Sequence, residues 1–247
     1  MKIAVLSGSP KAELSITLQY PRFIAKKLPQ FEINVLHVSH DIQKLERDEK
    51  AFHKVIDEVR AADGVLWAFP LYVFLVPSQY KRFIELIWER GAQDAFKGKY
   101  TASLSTSIHF FDHTAQNYIH AICDDLEMKF VESYSADMND LFVAKQRENL
   151  LLFGRNFLDA IESKLPTSKA FLKLTHSKFR YEPGKTKGKV DTQGRRIAVL
   201  TDIQDNQSNL TKMVRQFKES FVQDIEVYNL YDINIYGAAA WAAFSAG

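Results

Sequence analysis

The amino-acid sequence predicts an α/β fold in which helices cover both faces of a doubly wound, five-stranded parallel sheet. Two observations support this prediction. Strand and helix patterns alternate regularly through about the first two-thirds of the chain, and the strands are nearly continuous apolar runs. Strands buried on both faces have this composition, and alternating β and α elements produce such a sheet.

The predicted strands are short runs of apolar and β-branched residues bounded by turn-forming residues. They cover residues 3–6, 33–38, 64–69, 100–105 and 129–135. Ligands of such sheets bind at the carboxyl ends of the strands. The loops that begin at Ser7, Pro70 and Ser105 are therefore the places where we expect a site.

The predicted helices have apolar residues at helical spacing on one side. The first helix extends from the first loop to about residue 28, and the others cover residues 48–62, 77–90, 114–126 and 145–164. Pro77 suits a first turn, and Gly91 is placed to end the same helix. Pro21 must either lie in the first turn of the first helix or kink it.

The C-terminal third begins with a Gly-, Pro- and Lys-rich stretch that we interpret as a linker or extended arm. After it, residues 196–201 repeat the pattern of residues 2–7, at an offset of 197 − 3 = 194 that continues without gaps. The repeat ends after one βαβ unit, which cannot close a core alone. The predicted organisation is a first domain at 1–165, an arm at 166–194 and an incomplete second βαβ unit at 195–247.

Composition excludes several classes of protein. The net charge of +2 gives no bias towards nucleic acid, and the basic stretch between Lys185 and Arg196 is typical of a solvated linker. The single cysteine, Cys123, cannot form an internal disulfide or a thiolate metal cage, so we expect no metal site. Apolar runs fall short of the ~18 residues that span a bilayer. With an N-terminus too short for a signal peptide, the sequence predicts a cytoplasmic protein without membrane contact.

The first loop carries a candidate phosphate site. Ser9, Ser15 and Thr17 supply hydroxyl groups around a strand-to-helix turn, and Lys11 adds a positive charge. Backbone N–H groups at a helix start complete such a site. The alternative is that these residues merely cap the helix. The loop matches neither the Walker pattern nor the GxGxxG fingerprint, which disfavours ATP and the Rossmann mode of dinucleotide binding.

The second loop is rigid and aromatic. Pro70, Tyr72, Phe74 and Pro77 directly follow the third strand. A planar, largely apolar ring such as isoalloxazine would stack or lie edge-on there. The alternative is a buried aromatic cluster without a ligand.

The third loop, residues 105–112, offers hydroxyl and N–H groups that suit the pyrimidine edge of a flavin. His109 and Asp112 also lie in this loop. Hydride transfer from nicotinamide to flavin requires no acid or base from the protein. We therefore expect His109 to pack or to hydrogen-bond, and we name no catalytic residue.

Together, the motifs at residues 7–11, Ser15, Thr17, residues 70–72 and residues 77–85 resemble those of the NAD(P)H-dependent FMN reductase and quinone-reductase-like group of flavodoxin-fold flavoproteins. The resemblance covers about residues 1–165 and implies a flavodoxin-like fold with bound FMN. The phosphate contacts that it implies are Ser9, Lys11, Ser15, Ile16 and Thr17, the ring contacts are Pro70, Leu71, Tyr72, Val73 and Phe74, and a third set is Thr106, Ser107 and His109. Ile16 stands where many relatives carry Asn, and the cysteine cluster of some relatives is missing.

The resemblance implies an enzyme that passes a hydride from NAD(P)H to FMN and then reduces a second small molecule, such as a quinone or a flavin. Two alternatives stay open: a flavodoxin-type electron carrier, and a relative without cofactor that acts in protein interactions. Because such reductases are commonly dimers, we expect a homodimer to which the C-terminal unit or the arm contributes.

Overall fold

The computed structural model describes residues 1–172, 179–185 and 187–233. Residues 234–247, the end of the predicted second unit, lie outside the described residues, as does part of the predicted arm. The chain divides into two compact units, with the boundary between residues 174 and 175. In the described part of the chain, no helix is long and apolar enough to cross a membrane.

The first unit is built on one parallel sheet of five strands. The strands are β1 Lys2–Ser7, β2 Glu32–Leu36, β3 Gly64–Pro70, β4 Tyr100–Ser107 and β5 Lys129–Asp137. They lie in the order β2-β1-β3-β4-β5, and every neighbouring pair is parallel. The predicted doubly wound sheet is confirmed.

Helices cover both faces of this sheet. They are α1 Ile16–Lys27, α2 Ile42–Arg47, α3 Glu49–Ala61, α4 Ser78–Glu89, α5 Asp112–Asp125 and α6 Ala144–Glu162. The sheet separates two cores, one containing Trp67 and Tyr80 and the other containing Tyr20 and Phe157. Successive β1 residues point into opposite cores. Residues that face either core must therefore be apolar, which explains the continuous apolar runs in the sequence.

The helix ends follow local chemistry. Asp48 Oδ1 accepts hydrogen bonds from the N–H groups of Lys50, at 2.9 Å, and Ala51, at 3.1 Å, so Asp48 caps α3. Gly91, at φ +62°, ends α4 as predicted. Pro21 lies neither in the first turn of α1 nor at an end; it is buried inside the helix. Since proline has no N–H, it cannot donate to the carbonyl four residues earlier.

The predicted third loop starts too early. Strand β4 continues to Ser107, and β5 pairs with it as far as Asp137. Thr106 and Ser107 are therefore buried residues at the carboxyl end of strand β4 and not loop residues. Their positions are consequently fixed by the sheet.

The second unit contains one parallel βαβ motif, made of β6 Ala198–Thr201, α7 Asn209–Glu219 and β7 Glu226–Asn229. Its order is that of β1, α1 and β2. The strand register differs, because Val5 pairs with Val35 in the first unit whereas Val199 (199 − 194 = 5) pairs with Val227 (227 − 194 = 33). A shift of two residues leaves each side chain on the same face of its strand.

Candidate functional site

A cleft of about 320 Å³ lies at the carboxyl ends of β1, β3 and β4. The predicted site residues that line it are Ser9, Lys11, Ser15, Ile16, Thr17, Pro70, Leu71, Tyr72, Thr106 and Ser107. The three segments that the sequence singled out therefore meet in one place. Leu14, Ile108 and Met138 also line the cleft and were missed.

The start of α1 lacks the usual protein cap. Ser15 is the N-cap residue, with extended backbone, but its side chain makes no capping hydrogen bond. Its Oγ is buried and has no hydrogen-bond partner within the described residues. The first N–H groups of a helix have no partner inside the helix, and they carry its positive dipole end. This end of α1 is consequently equipped to hold an anion, as the phosphate of FMN requires.

The corresponding helix of the second unit is capped. Ser208 Oγ accepts a hydrogen bond from the N–H of Thr211 at 3.1 Å, at the start of α7. Asp205 (205 − 194 = 11) stands at the repeat position of Lys11. A satisfied helix end beside a carboxylate is unsuited to a phosphate, so the two halves of the sequence repeat differ in the feature that matters for binding.

Glycine holds the first loop against the sheet. The Gly8 N–H donates to the Ala68 carbonyl at 2.7 Å. A Cβ at position 8 would lie 2.6 Å from Phe69 Cβ and 2.9 Å from the Tyr80 ring. Only glycine allows this close approach, which sets the position of the first loop.

Hydrogen bonds across the cleft floor join the three segments. The Oγ1 atoms of Thr17 and Thr106 are 2.6 Å apart and buried, which ties α1 to β4. The Leu71 N–H donates to the Thr106 carbonyl at 2.8 Å, which ties the second loop to the same strand. The hydroxyl groups of the site are thereby held in place before any ligand arrives.

The second loop divides into two parts. Pro70, Leu71 and Tyr72 line the cleft, and burial raises the pKa of Tyr72. Val73 and Phe74, which were predicted as ring contacts, do not line it. Phe74 has a left-handed backbone, at φ +58°, and packs on Phe110 and Phe111 with ring centroids 5.8 and 5.1 Å away.

A carboxylate organises the third segment. Asp112 Oδ2 accepts hydrogen bonds from Ser107 Oγ at 2.7 Å and from Ser135 Oγ at 2.6 Å, and His109 Nδ1 lies 3.0 Å away. Burial raises the pKa of Asp112, but the hydrogen bonds from Ser135, Ser107 and His109 outweigh it and bring the pKa below its usual range. His109 does not line the cleft; its N–H donates to Ser107 Oγ at 2.9 Å. His109 thus hydrogen-bonds to Ser107 and Asp112 within the third segment.

Three residues that line the cleft have no sequence feature that indicates ligand binding: Leu14, Ile108 and Met138. Leu14 and Ile108 are apolar and largely exposed, whereas phosphate and ring binding call for polar and aromatic groups. Met138 follows β5, whose carboxyl end is not one of the three predicted loops. The parallel topology alone could have indicated Met138, because β5 ends at the same edge of the sheet as β4.

Comparisons with known proteins agree with this geometry. FerB, a flavoenzyme NAD(P)H:(acceptor) oxidoreductase from Paracoccus denitrificans, superposes with a TM-score of 0.52 and 22% identity, over 66% of this chain and 97% of FerB. The apo form of EMOB, an NADH:FMN oxidoreductase, gives a TM-score of 0.52 and 17% identity, over 68% of this chain and 91% of EMOB. At these identities the two structures establish the fold, and they confirm that it is flavodoxin-like. No protein with a curated function matches the sequence.

The family comparison goes further. The sequence profile described as NADPH-dependent FMN reductase matches residues 1–140. This span includes the whole of the cleft and more than half of the chain, and it confirms the resemblance noted in the sequence. The chain therefore belongs to the NADPH-dependent FMN reductase family, as an oxidoreductase that has FMN as its cofactor and NAD(P)H as its co-substrate.

Proposed function

We propose that FMN lies in the cleft with its phosphate at the start of α1, and that the enzyme passes electrons from NAD(P)H to a second small molecule. The observation that carries this proposal is the unpartnered, buried Ser15 Oγ at an uncapped helix end that opens into the cleft. A phosphate would supply the acceptors that these groups lack.

The residues of the cleft take distinct roles in this proposal. Ser9, Ser15, Ile16 and Thr17 hold the phosphate through hydroxyl and N–H groups, and Lys11 balances its charge. Pro70, Leu71 and Tyr72 contact the flavin ring, and Thr106 and Ser107 meet its pyrimidine edge. Val73, Phe74 and His109 are contacts further out. FMN, when bound, accepts a hydride from nicotinamide and gives the electrons to the next acceptor. The protein orients these partners and needs no general acid or base.

The second acceptor is, in our proposal, a planar and largely apolar molecule such as a quinone or a free flavin. Exposed apolar side chains at the mouth of the cleft support this choice: Tyr72 is 50% exposed, Ile108 76% and Met138 51%. Side chains of this kind favour flat hydrophobic ligands. The same mouth admits nicotinamide, so both reactants would use one opening in turn.

We also propose a homodimer. Next to the mouth, Val73, Phe74, Phe110 and Phe111 are exposed, and α7 of the second unit has no buried residue. Contiguous exposed apolar side chains often mark contacts with other proteins. A second copy would cover such surfaces, with the C-terminal unit or the arm contributing to the interface.

The phosphate site is tested with two matched double variants. Ser15→Ala with Thr17→Ala should weaken FMN binding by roughly 1–3 kcal/mol for each lost partner, as measured by quenching of flavin fluorescence. Ser208→Ala with Thr211→Ala makes the same chemical changes at the capped helix of the second unit and should leave FMN affinity unchanged. Equal affinities in both variants would contradict the assignment. Oxidation of NADPH by the FMN-loaded wild type, with a quinone as acceptor, separates an enzyme from an electron carrier.

A further inference from the structure

A second cleft, of about 440 Å³, lies beside the first loop at the carboxyl ends of β1 and β2. Pro10 lines it, whereas Ser9 and Lys11 line the first cleft. Gln79, at the start of α4, lines its other side. The two clefts thus flank one loop at one edge of the sheet, so an elongated ligand could occupy both.

The second cleft is lined by more cations than carboxylates. Lys44 and Arg47 line it from α2, and neither makes an ion pair with any described residue. At a spacing of three residues they are neighbours on the helix surface. By contrast, nearby Arg82 is paired with Glu46 and with Glu89. The acidic residue in the cleft is Asp41, and His40 Nδ1 lies 2.8 Å from its carboxylate.

A buried hydroxyl in the same cleft has no partner. Ser39 is 1% exposed, and its Oγ makes no hydrogen bond to the part of the chain that the structure describes. Its N–H donates to the Ser7 carbonyl at 3.2 Å, so its position is tied to β1. Buried polar groups are nearly always satisfied, and an exception calls for an explanation. A hydroxyl, an ammonium and a guanidinium are together a donor set for phosphate oxygens.

From this arrangement we propose that the second cleft binds the 2′-phosphate of NADPH and makes the enzyme prefer NADPH to NADH. The inference rests on the proposed function, because the nicotinamide end must reach the ring in the first cleft. NADPH differs from NADH by one phosphomonoester, which carries a charge of about −1.5 to −2 at neutral pH. Lys44 and Arg47 are the cations that this group would meet, and the Ser39 hydroxyl donates to it.

The test compares two double variants that remove the same charge. Lys44→Gln with Arg47→Gln alters the cleft, and Lys26→Gln with Lys27→Gln alters exposed lysines in the last turn of α1, at the other edge of the sheet. By calorimetry, wild type and control should bind 2′,5′-ADP about tenfold or more tightly than 5′-AMP, and the cleft variant should lose that difference. In steady state, the cleft variant should show a KM for NADPH raised about tenfold, with KM for NADH, kcat and FMN content unchanged.

Ser39→Ala provides a milder variant, which should weaken 2′,5′-ADP binding by about threefold or more while the protein stays folded. The inference is overturned if the cleft variant affects NADPH and NADH equally, or if inorganic phosphate binds as tightly as 2′,5′-ADP. It is also overturned if neither variant changes 2′,5′-ADP affinity. If FMN-loaded wild type oxidises neither nucleotide, the proposed function fails, and calorimetry with 2′,5′-ADP still decides the ligand of the cleft.

Discussion

Tyr72 is the residue at which ring binding is tested most directly. It lines the first cleft and is half exposed, whereas Phe74 lies outside the lining. Tyr72→Ala should change the flavin spectrum or the rate of flavin reduction while the fold stays intact, because an aromatic neighbour of the ring is lost. Phe74→Ala, as the control, should have a smaller effect. If fluorescence quenching and turnover are unaltered in Tyr72→Ala, the loop serves only packing.

Asp112 should make stability depend on pH. Its pKa is lowered in the folded protein, the hydrogen bonds from Ser135, Ser107 and His109 outweighing the effect of burial. A carboxyl with a lowered pKa stabilises the fold above its unfolded pKa of about 3.9, and that contribution is lost as the pH falls through the folded pKa. Asp112→Asn should therefore reduce the free energy of unfolding at pH 7, by roughly 1.5–3 kcal/mol.

Urea denaturation of wild type and Asp112→Asn between about pH 2.5 and 7 measures this effect. The difference between the two proteins should shrink towards the acid end. A difference that is constant across the whole range would show that the charge of Asp112 contributes nothing to folding.

Single residues also show where prediction from sequence stops. The hydroxyl and proline positions of the site were found because phosphate and ring binding demand those residue types. Phe74, His109 and Phe111 have φ values of +58°, +58° and +55°, a conformation that side chains larger than glycine seldom adopt. Residue preferences do not predict such bends, which change the direction of the side chains. Phe74 and His109 lie outside the cleft lining, as does Val73 between Tyr72 and Phe74.

Substitutions at two glycines distinguish an effect on the position of the first loop from an effect on stability alone. Gly8→Ala should reduce both stability and FMN affinity, because its Cβ would meet Phe69 Cβ at 2.6 Å and displace the phosphate loop. Gly154→Ala, in α6, would bring Cβ to 2.7 Å from Ile24 Cγ2 in α1. This second change should cost roughly 1–3 kcal/mol of stability, as overpacking does, and leave FMN affinity almost unchanged.

Thermal unfolding and FMN titration of both variants give the comparison. A Gly8→Ala protein that binds FMN as wild type does would show that the loop position is not set by its contact with β3.

Elements were predictable where a long periodic pattern exists and less so elsewhere. Helix α2 has only six residues, too short for a helical pattern to show. The end of β4 was missed because serine and threonine suggest a turn. In the structure, Gln116 Nε2 donates to Ser105 Oγ at 2.7 Å, and Ser107 is bonded to Asp112. These side-chain hydrogen bonds to α5 stabilise polar side chains within a buried strand, and the strand preferences of single residues do not include them.

At the scale of the whole molecule, the first unit should fold without the second. Asp124 Oδ2 accepts hydrogen bonds from the N–H groups of Ala170 and Phe171, both at 2.9 Å. The segment after α6 is therefore part of the first unit, and a truncation should follow residue 172 instead of 165. We expect residues 1–172 to be folded and to bind FMN.

Light scattering of the truncated and full-length proteins tests the proposed assembly. If the full chain is a dimer and residues 1–172 are a monomer, the C-terminal part supplies the interface. A truncated protein that is still dimeric and binds FMN would show that this part is dispensable for assembly. The sequence could predict neither result, because it shows which surfaces are apolar and not which of them meet.

The open end of α1 has a consequence for the life of the protein in a cell. A ligand that binds only the folded state stabilises it by an amount that grows with ligand concentration, about 2.7 kcal/mol at a hundred times Kd. In the proposed complex, the phosphate of FMN supplies the partner that Ser15 Oγ lacks, whereas Ser208 Oγ already has a partner within the second unit. Small losses of stability change the abundance of a protein several-fold, through proteolysis of unfolded molecules. A shortage of riboflavin should therefore reduce the number of enzyme molecules as well as the fraction that carries flavin.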